Sequence, residues 1–299
     1  SHVFGLSSVV MSAFFAGACV LPVPRFSTAR VIYSLASEGV TMLFGVPTLF
    51  VKLLEFLKES HSKLDIPVLR MIYAGGSPLD PTVKAEIERK FHLPLHNGYG
   101  LTEGGPTLSQ TRAYEPAEDN SVGPLLPGIE THLRNENSAA LTQDEGELWV
   151  RGPNVMKGYF RAPDLTAIVK KDDGWLNTGD VARLDASGNL YISGRTKELI
   201  IHSGFNVYPQ EVESAINTHP DVSVSAVIGN LVDGDEEIVA FVKLMPSSHL
   251  DTVDLTDYLK GQLTPYKRPG RIIFMDEMPA SPSGKILLAK LKEQVQEIL

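Results

Sequence analysis

The sequence predicts an α/β fold, and three observations carry that reading. Helix-like and strand-like segments alternate with short turns from residue 7 to residue 99, which implies βαβ units and a mostly parallel sheet. After Pro116 the alternation gives way to short strands separated by Gly, Pro and Asn turns, the pattern of a small β-barrel or sandwich layer. From Thr196 helices and strands mix again, as in a separate α+β domain, and most of the acidic excess falls there. The expected divisions are residues 1–115, 116–196 and 197–299.

The elements follow in order. Val3 to Pro24 holds no charged side chain, a length that raises the question of a membrane span or export signal. No basic region precedes it, and Pro22 and Pro24 break a helix before it could cross about 30 Å of hydrocarbon. The expectation is a buried helix near Ser7–Ala16 and a buried strand at Cys19–Leu21, with no transmembrane segment. Next come a helix at Thr28–Ser37, a strand at Thr41–Phe44, a helix at Thr48–Lys58 and a strand at Leu69–Ala74. Asp80 as N-cap with Pro81 in the first turn opens a further helix, because proline there gives up an N–H that had no partner. A strand at Leu95–Tyr99 closes the series. The β-rich part includes strands at Gly146–Val150 and Asn189–Ile192. The last part predicts helices at Pro209–Asn217, Leu255–Leu263 and after Lys285, and strands at Val224–Ile228, Ile238–Leu244 and Arg271–Met275.

Composition excludes several function classes. One cysteine in 299 residues forms no internal disulfide, which points to a reducing compartment and a cytoplasmic location. A net charge of −9 argues against nucleic acid as partner, since a phosphate-backbone binder needs concentrated Lys and Arg. Any phosphate held here is therefore small and locally caged.

Four segments carry candidate chemistry. Tyr73-Ala74-Gly75-Gly76-Ser77 ends a parallel strand, the end at which open α/β sheets bind ligands; taken alone, a plain strand-to-helix turn is the commoner explanation. Asn97-Gly98-Tyr99-Gly100-Leu101-Thr102-Glu103 combines an aromatic face for a base, a hydroxyl for a phosphate oxygen and a hard carboxylate for Mg²⁺. Its alternative is a solvated loop. Asp180, in Gly174–Asp180, offers two acceptor oxygens to the adjacent hydroxyls of a ribose, and Arg195 adds donors. An Asp180–Arg195 ion pair is the structural alternative. Lys285, at the end of Pro279–Lys285, is a mobile point charge suited to a phosphoryl oxygen, or a solvated surface lysine.

In this order and spacing the four segments resemble the adenylate-forming superfamily of acyl-CoA synthetases, luciferases and nonribosomal adenylation domains. The resemblance implies that Tyr99–Glu103 is the adenine and Mg²⁺ motif, with Gly75, Gly76, Ser77, Asn97 and Gly98 lining the nucleotide. It implies Asp180 and Arg195 as ribose contacts, Lys197 at an interdomain hinge and Lys285 as the adenylation lysine, with Thr102 and Glu103 beside it in catalysis. Ser203, Gly204 and Phe205 correspond to the loop that lines the pantetheine channel. His2-Val3-Phe4-Gly5 and Gly45–Phe50 look like the fatty acyl branch, with His2 and Gly5 bordering the acyl pocket, and Ile201 and Ser203 stand where plant aryl-CoA ligases carry lysines.

The implied reaction joins a medium- or long-chain fatty acid to coenzyme A through an acyl-adenylate, using ATP and Mg²⁺. Alternatives are an aryl or short-chain acid, or a nonenzymatic nucleotide-binding fragment. The resemblance also makes the C-terminal α+β domain mobile and the βαβ part a partial large domain. Members of the superfamily carry a Lys-containing, Ser/Thr/Gly-rich phosphate loop ahead of the His-x-x-Gly element, and none occurs in these residues. The chain is thus expected to match a C-terminal portion and to lose most adenylation on its own. Oligomeric state is not legible in the sequence.

Overall fold

The computed structural model describes residues 2–23, 26–60, 64–134, 145–232, 234–246, 248–281 and 285–298. The chain forms two compact units, the first ending at Ile192 and the second beginning at Ser193.

The first unit opens with a wide-turned π-helix, Phe4–Met11, that continues into α1 (Ser12–Phe15). The expected helix is present, but none of its residues is buried: Phe14 is 63% exposed and Phe15 97%. Its apolar side chains point in all directions, and nothing among the described residues covers the outer ones. The strand expected at Cys19–Leu21 does not form. Pro22 withholds a ladder donor directly after it, and β1 (Met42–Gly45) ends the sheet on its outer side among the described strands.

The other expected elements appear. Ser27 caps α2 (Thr28–Ser37), its hydroxyl accepting from the Arg30 N–H at 3.4 Å. After β1 come α3 (Pro47–Ser60) and β2 (Met71–Ala74). Asp80 caps α4 (Pro81–Phe91), accepting from the Thr82 N–H at 2.8 Å with Pro81 in the first turn. β3 (Leu95–Gly100) and β4 (Thr107–Gln110) complete a sheet of order β1-β2-β3-β4. Its first three strands are parallel and β4 returns antiparallel to β3. Phe50, Leu53, Ile72, Ile87 and Leu95 form the core between helices and sheet.

The β-rich part is an open four-stranded sheet of β5 (Glu130–Arg134), β6 (Glu145–Arg151), β7 (Leu176–Leu184) and β8 (Leu190–Arg195), in that order. Of the two forms expected, it takes the layer and not the closed barrel. The short helix α5 (Pro163–Val169) lies between β6 and β7. Leu108 of β4 packs with Leu148, Val150, Leu176 and Leu190, so one core joins the two sheets.

The second unit holds the hairpin β9 (Ile200–His202) and β10 (Phe205–Val207), then α6 (Pro209–Asn217). It continues through β11 (Val222–Val232), β12 (Asp235–Leu244), α7 (Thr252–Lys260), β13 (Arg271–Phe274) and α8 (Leu288–Ile298). β11 and β13 flank β12, antiparallel and parallel respectively. β12 is apolar at every position from Ile238 to Val242 because both its faces are covered. Ile238, Ala240 and Val242 pack with Val212, Ile216, Leu255 and Leu259 of α6 and α7, whereas Val239 and Phe241 pack with Leu291 and Val295 of α8.

Candidate functional site

The candidate nucleotide residues of the first unit gather at the C-terminal ends of β2 and β3. Gly98 and Gly100 occupy places that no side chain fits. A Cβ at Gly100 would stand 1.8 Å from the Pro106 carbonyl oxygen, and one at Gly98 would stand 1.9 Å from the Tyr73 hydroxyl. The missing side chains let β3 run against both neighbours and then release the chain into the Thr102–Gly104 turn, with Thr102 exposed and Glu103 half-buried.

Asp180 is brought to this end by a bulge in β7. Glu147 pairs with Val181 and Trp149 with Asn177, so Thr178, Gly179 and Asp180 lie opposite Leu148 alone. The Thr178 hydroxyl donates to the Leu148 carbonyl at 2.8 Å and accepts from the Asp180 N–H at 3.1 Å, which fixes the bulge. Such bulges re-aim a side chain. Here the Asp180 carboxylate, only 4% exposed, accepts a short hydrogen bond from the Tyr99 hydroxyl. The structure thus joins the aromatic and the carboxylate singled out separately in the sequence.

Glu103 is held from the segment after β6. The Tyr159 hydroxyl donates to its Oε1 at 2.7 Å, and the Met156 N–H donates to its carbonyl at 2.8 Å. Asn154 Nδ2 donates to the Gly104 and Thr107 carbonyls at 2.6 and 3.0 Å. The bond to Glu103 pushes the Tyr159 ionisation up to about 12, so Tyr159 stays a neutral donor throughout the physiological range. The second carboxylate oxygen is not taken by this bond. Mg²⁺ ordinarily takes one or two protein carboxylates and completes its shell with water and substrate phosphates. Glu103 fits that single-carboxylate mode.

Gly75, Gly76 and Ser77 follow β2, and the Gly75 N–H donates to the Gly45 carbonyl at 3.1 Å. Phe4 lies over them: a Cβ on Gly75 would stand 2.9 Å from its ring, and one on Gly76 would stand 4.0 Å from His2. Phe4 and Phe44 both contact the Tyr73 ring, with centroids 6.2 and 5.8 Å away. Burial pushes the Tyr73 hydroxyl well above the ordinary tyrosine range. His2 therefore reaches the glycine turn, whereas Gly5 is exposed with open space around it. Asn97 is buried and spent on backbone, its Oδ1 accepting from the Gly98 N–H at 2.9 Å.

The second unit carries the remaining candidates. The Arg195 carbonyl accepts from the Glu198 and Leu199 N–H groups at 3.0 and 3.1 Å, which closes a turn with Arg195 and Lys197 on its exposed side. Lys285 is exposed; its N–H donates to the Ser281 hydroxyl at 3.2 Å, and its carbonyl accepts from the Ser281 N–H at 2.8 Å. Pro282, Ser283 and Gly284 of that motif lie outside the described residues. Ser203 and Gly204 form the two-residue turn between β9 and β10, with φ of +51° and +79°. Phe205 follows, stacked on Tyr266 at 4.5 Å.

Residues 1–160 match the family described as AMP-binding enzyme, and residues 211–285 match the AMP-binding enzyme C-terminal domain. The chain belongs to the AMP-binding enzyme family. It is 32% identical over 300 residues to a long-chain-fatty-acid–CoA ligase of Bacillus subtilis (strain 168), covering 99% of this chain and 53% of that protein. With 4-coumarate-CoA ligase 1 of Narcissus pseudonarcissus it shares 31% identity, covering 98% of this chain and 55% of the relative. The ATP-bound crystal structure of MatB from Rhodopseudomonas palustris superposes with a TM-score of 0.89 at 32% identity, covering 99% of this chain and 59% of that one. The chain thus spans about half the length of the curated relatives it matches.

In this member of the family, sequence reasoning missed the residues that hold the motifs in place. Tyr159 and Asn154 lie about fifty residues from the loop they secure, and Asp235 and Glu236 about thirty from the Ser203-Gly204 turn. No local pattern links either pair. Only the density of glycine around Tyr99 hinted that something bulky crosses there, which proves to be Tyr73.

Proposed function

We propose that this chain forms the nucleotide- and thiol-handling part of an enzyme that activates a carboxylic acid as its acyl-adenylate and transfers the acyl group to coenzyme A. The observation that carries this reading is the bond between Tyr99 and Asp180 beside the Thr102–Glu103 turn. It sets an aromatic face, a buried carboxylate, a hydroxyl and a metal-competent carboxylate at one end of the sheet, the complement of adenine, ribose, phosphate and Mg²⁺. Mg²⁺ held by Glu103 would offset charge on the phosphate oxygens.

In the first half-reaction the acid's carboxylate oxygen attacks the α-phosphorus of ATP and the bond to pyrophosphate breaks. Thr102 donates to the α-phosphate, and Lys285 neutralises charge developing there. In the second, the coenzyme A sulfur loses its proton and attacks the acyl carbon, and AMP leaves. The Ser203-Gly204-Phe205 turn lines the path of the thiol, and Arg195 and Lys197 supply the ribose contact and the pivot between the two half-reactions.

For the acid, the His2–Gly5 and Gly45–Phe50 segments favour a medium- or long-chain fatty acid, held by apolar burial at about 0.8 kcal/mol per CH₂. The ring cluster of Phe4, Phe44 and Tyr73 favours a second reading, an aryl acid laid against an aromatic wall. A calorimetric titration with AMP tests the nucleotide assignment. Binding is expected in the unaltered chain and at least about tenfold weaker binding in Asp180→Asn, which withdraws a charged acceptor from the ribose. No binding by the unaltered chain refutes the proposal. Acid-dependent ATP–pyrophosphate exchange in an N-terminally extended chain, lost in its Lys285→Ala variant, and thioester formation across fatty and aryl acids then separate the substrate classes.

A further inference from the structure

We infer that Asp235, with Glu236 beside it, is a positioning residue that holds the Ser203-Gly204 turn in the one conformation able to admit the thiol arm of coenzyme A. The inference rests on the reading of that turn given above.

The turn is strained by its own geometry. A two-residue β-hairpin loop of this kind needs positive φ at both central positions, which glycine adopts freely and serine does not. Ser203 is one of only three non-glycine residues with positive φ among those described, and at an exposed tip such a conformation persists only where its surroundings over-determine it. Those surroundings come from the start of β12. The Asp235 carboxylate accepts from the Ser203 N–H at 2.9 and 3.0 Å through its two oxygens, and from the Ser203 hydroxyl at 3.3 Å. Glu236 Oε2 accepts from the Ile201 N–H at 2.5 Å, and the Glu236 carbonyl accepts from His202 Nδ1 at 2.6 Å. Every residue from Ile201 to Ser203 is thus tied to two consecutive acidic residues. The bond from the Ser203 backbone holds the Asp235 carboxyl below the usual range, with His202 contributing, so the clamp is charged at neutral pH.

Among the described residues the tip is anchored to its own unit at one side, where Phe205 stacks on Tyr266, and is otherwise open. Space around Gly204 is open to 4 Å, and Ile201 and Phe205 on either side are 55% and 53% exposed. A rigid turn that presents a bare backbone between two exposed apolar side chains suits a narrow, amide-bearing and partly apolar arm, which is the chemistry of pantetheine. Pre-organising that surface before the arm arrives removes an ordering cost from binding.

The test supplies the chain with preformed acyl-adenylate, so that its outcome does not depend on adenylation, and follows thioester formation against coenzyme A concentration. Asp235→Ala, which removes the whole carboxylate clamp on Ser203, is expected to raise KM for coenzyme A about tenfold, with kcat changed less than about twofold. Asp235→Glu is expected to recover part of the loss. Asp251→Ala removes the N-cap of α7 in the same unit and should leave KM unchanged, which separates positioning from general loss of stability. Amide hydrogen exchange at Ser203 without ligand should accelerate in Asp235→Ala. An unchanged KM in Asp235→Ala, or a rise of equal size in Asp251→Ala, overturns the inference. If the unaltered chain forms no thioester, the reading of the turn fails and the inference with it; unchanged exchange at Ser203 shows that the clamp itself is wrong.

Discussion

Replacing Gly98 by alanine tests whether the missing side chain there exists to let Tyr73 cross β3. The added Cβ would stand 1.9 Å from the Tyr73 hydroxyl, 3.1 Å from Tyr73 Cζ and 3.0 Å from the Ser109 carbonyl oxygen. Tyr73 is only 6% exposed and its ring lies against both Phe4 and Phe44, so it cannot swing aside without moving them. Overpacking of this kind costs about 2–3 kcal/mol. Tyr73→Phe alone should cost under about 1 kcal/mol, because the hydroxyl donates no hydrogen bond among the described residues and only burial acts on it.

In the double variant the worst contact vanishes while those at Cζ and Ser109 stay tight, so a coupling of about 1–2 kcal/mol in favour of the pair is expected. Both tryptophans, Trp149 and Trp175, lie in the first unit, so their fluorescence in a urea titration reports that unit without the second. Additivity of the two single effects within about 0.5 kcal/mol would refute the reasoning. It would mean that the strand, and not the tyrosine, absorbs the extra methyl.

Three further outcomes follow from the same geometry. Tyr159→Phe removes the donor that orients Glu103, and should weaken Mg²⁺-dependent ATP binding about tenfold while leaving AMP binding measured without Mg²⁺ unchanged; an equal loss in both titrations sinks the positioning role. His96 is buried against Thr111, and burial holds its imidazole below the ordinary pKa. The unfolded chain therefore takes up that proton first as pH falls through about 6.5, so first-unit stability should decline below that pH and His96→Gln should flatten the slope. Stability that rises between pH 7 and 5 contradicts this. Asp80→Ala removes the cap of α4 and should lower first-unit stability by about 1 kcal/mol in the same fluorescence titration, and no change would show the cap to be redundant.

The fold was legible where its determinants are local. Asp80-Pro81 marked the start of α4, and the unbroken apolar run of β12 needed only the rule that a strand covered on both faces loses its alternation. Legibility failed at the start of the chain for a physical reason as well. Twenty-two uncharged residues read as core, since burial is what such a run ordinarily requires, yet burial depends on a partner surface. Phe4 finds one against Tyr73, but none covers the outer side among the described residues, so Leu6, Met11, Phe14 and Phe15 stand exposed. The bulge in β7 was equally invisible. It is defined by what lies opposite it on β6, and Thr178-Gly179-Asp180 carries no mark of being out of register.

The candidate site divides along the same line, and the division bears on how such a site is tuned. Tyr99, Thr102, Glu103 and Asp180 were readable because each offers a chemical group that the proposed reaction needs. The side chains that aim those groups, Tyr159 on Glu103, Tyr73 against Gly98 and Asp235 on Ser203, come from segments distant in sequence and act through the groups they position. On the proposed assignment a substitution in the first set removes a contact to nucleotide or metal, so its effect should be large and independent of which acid or thiol is offered. A substitution in the second shifts a group by a fraction of an ångström, so its effect should be smaller and should differ between substrates. Tyr73 is the sharpest case, because its ring lies in the aromatic cluster proposed for the acid while its hydroxyl fills the space a side chain at Gly98 of β3 would need. Tyr73→Phe should therefore alter the ratio of aryl to fatty acid turnover more than it alters AMP affinity. A parallel change in both would place Tyr73 in the nucleotide site instead.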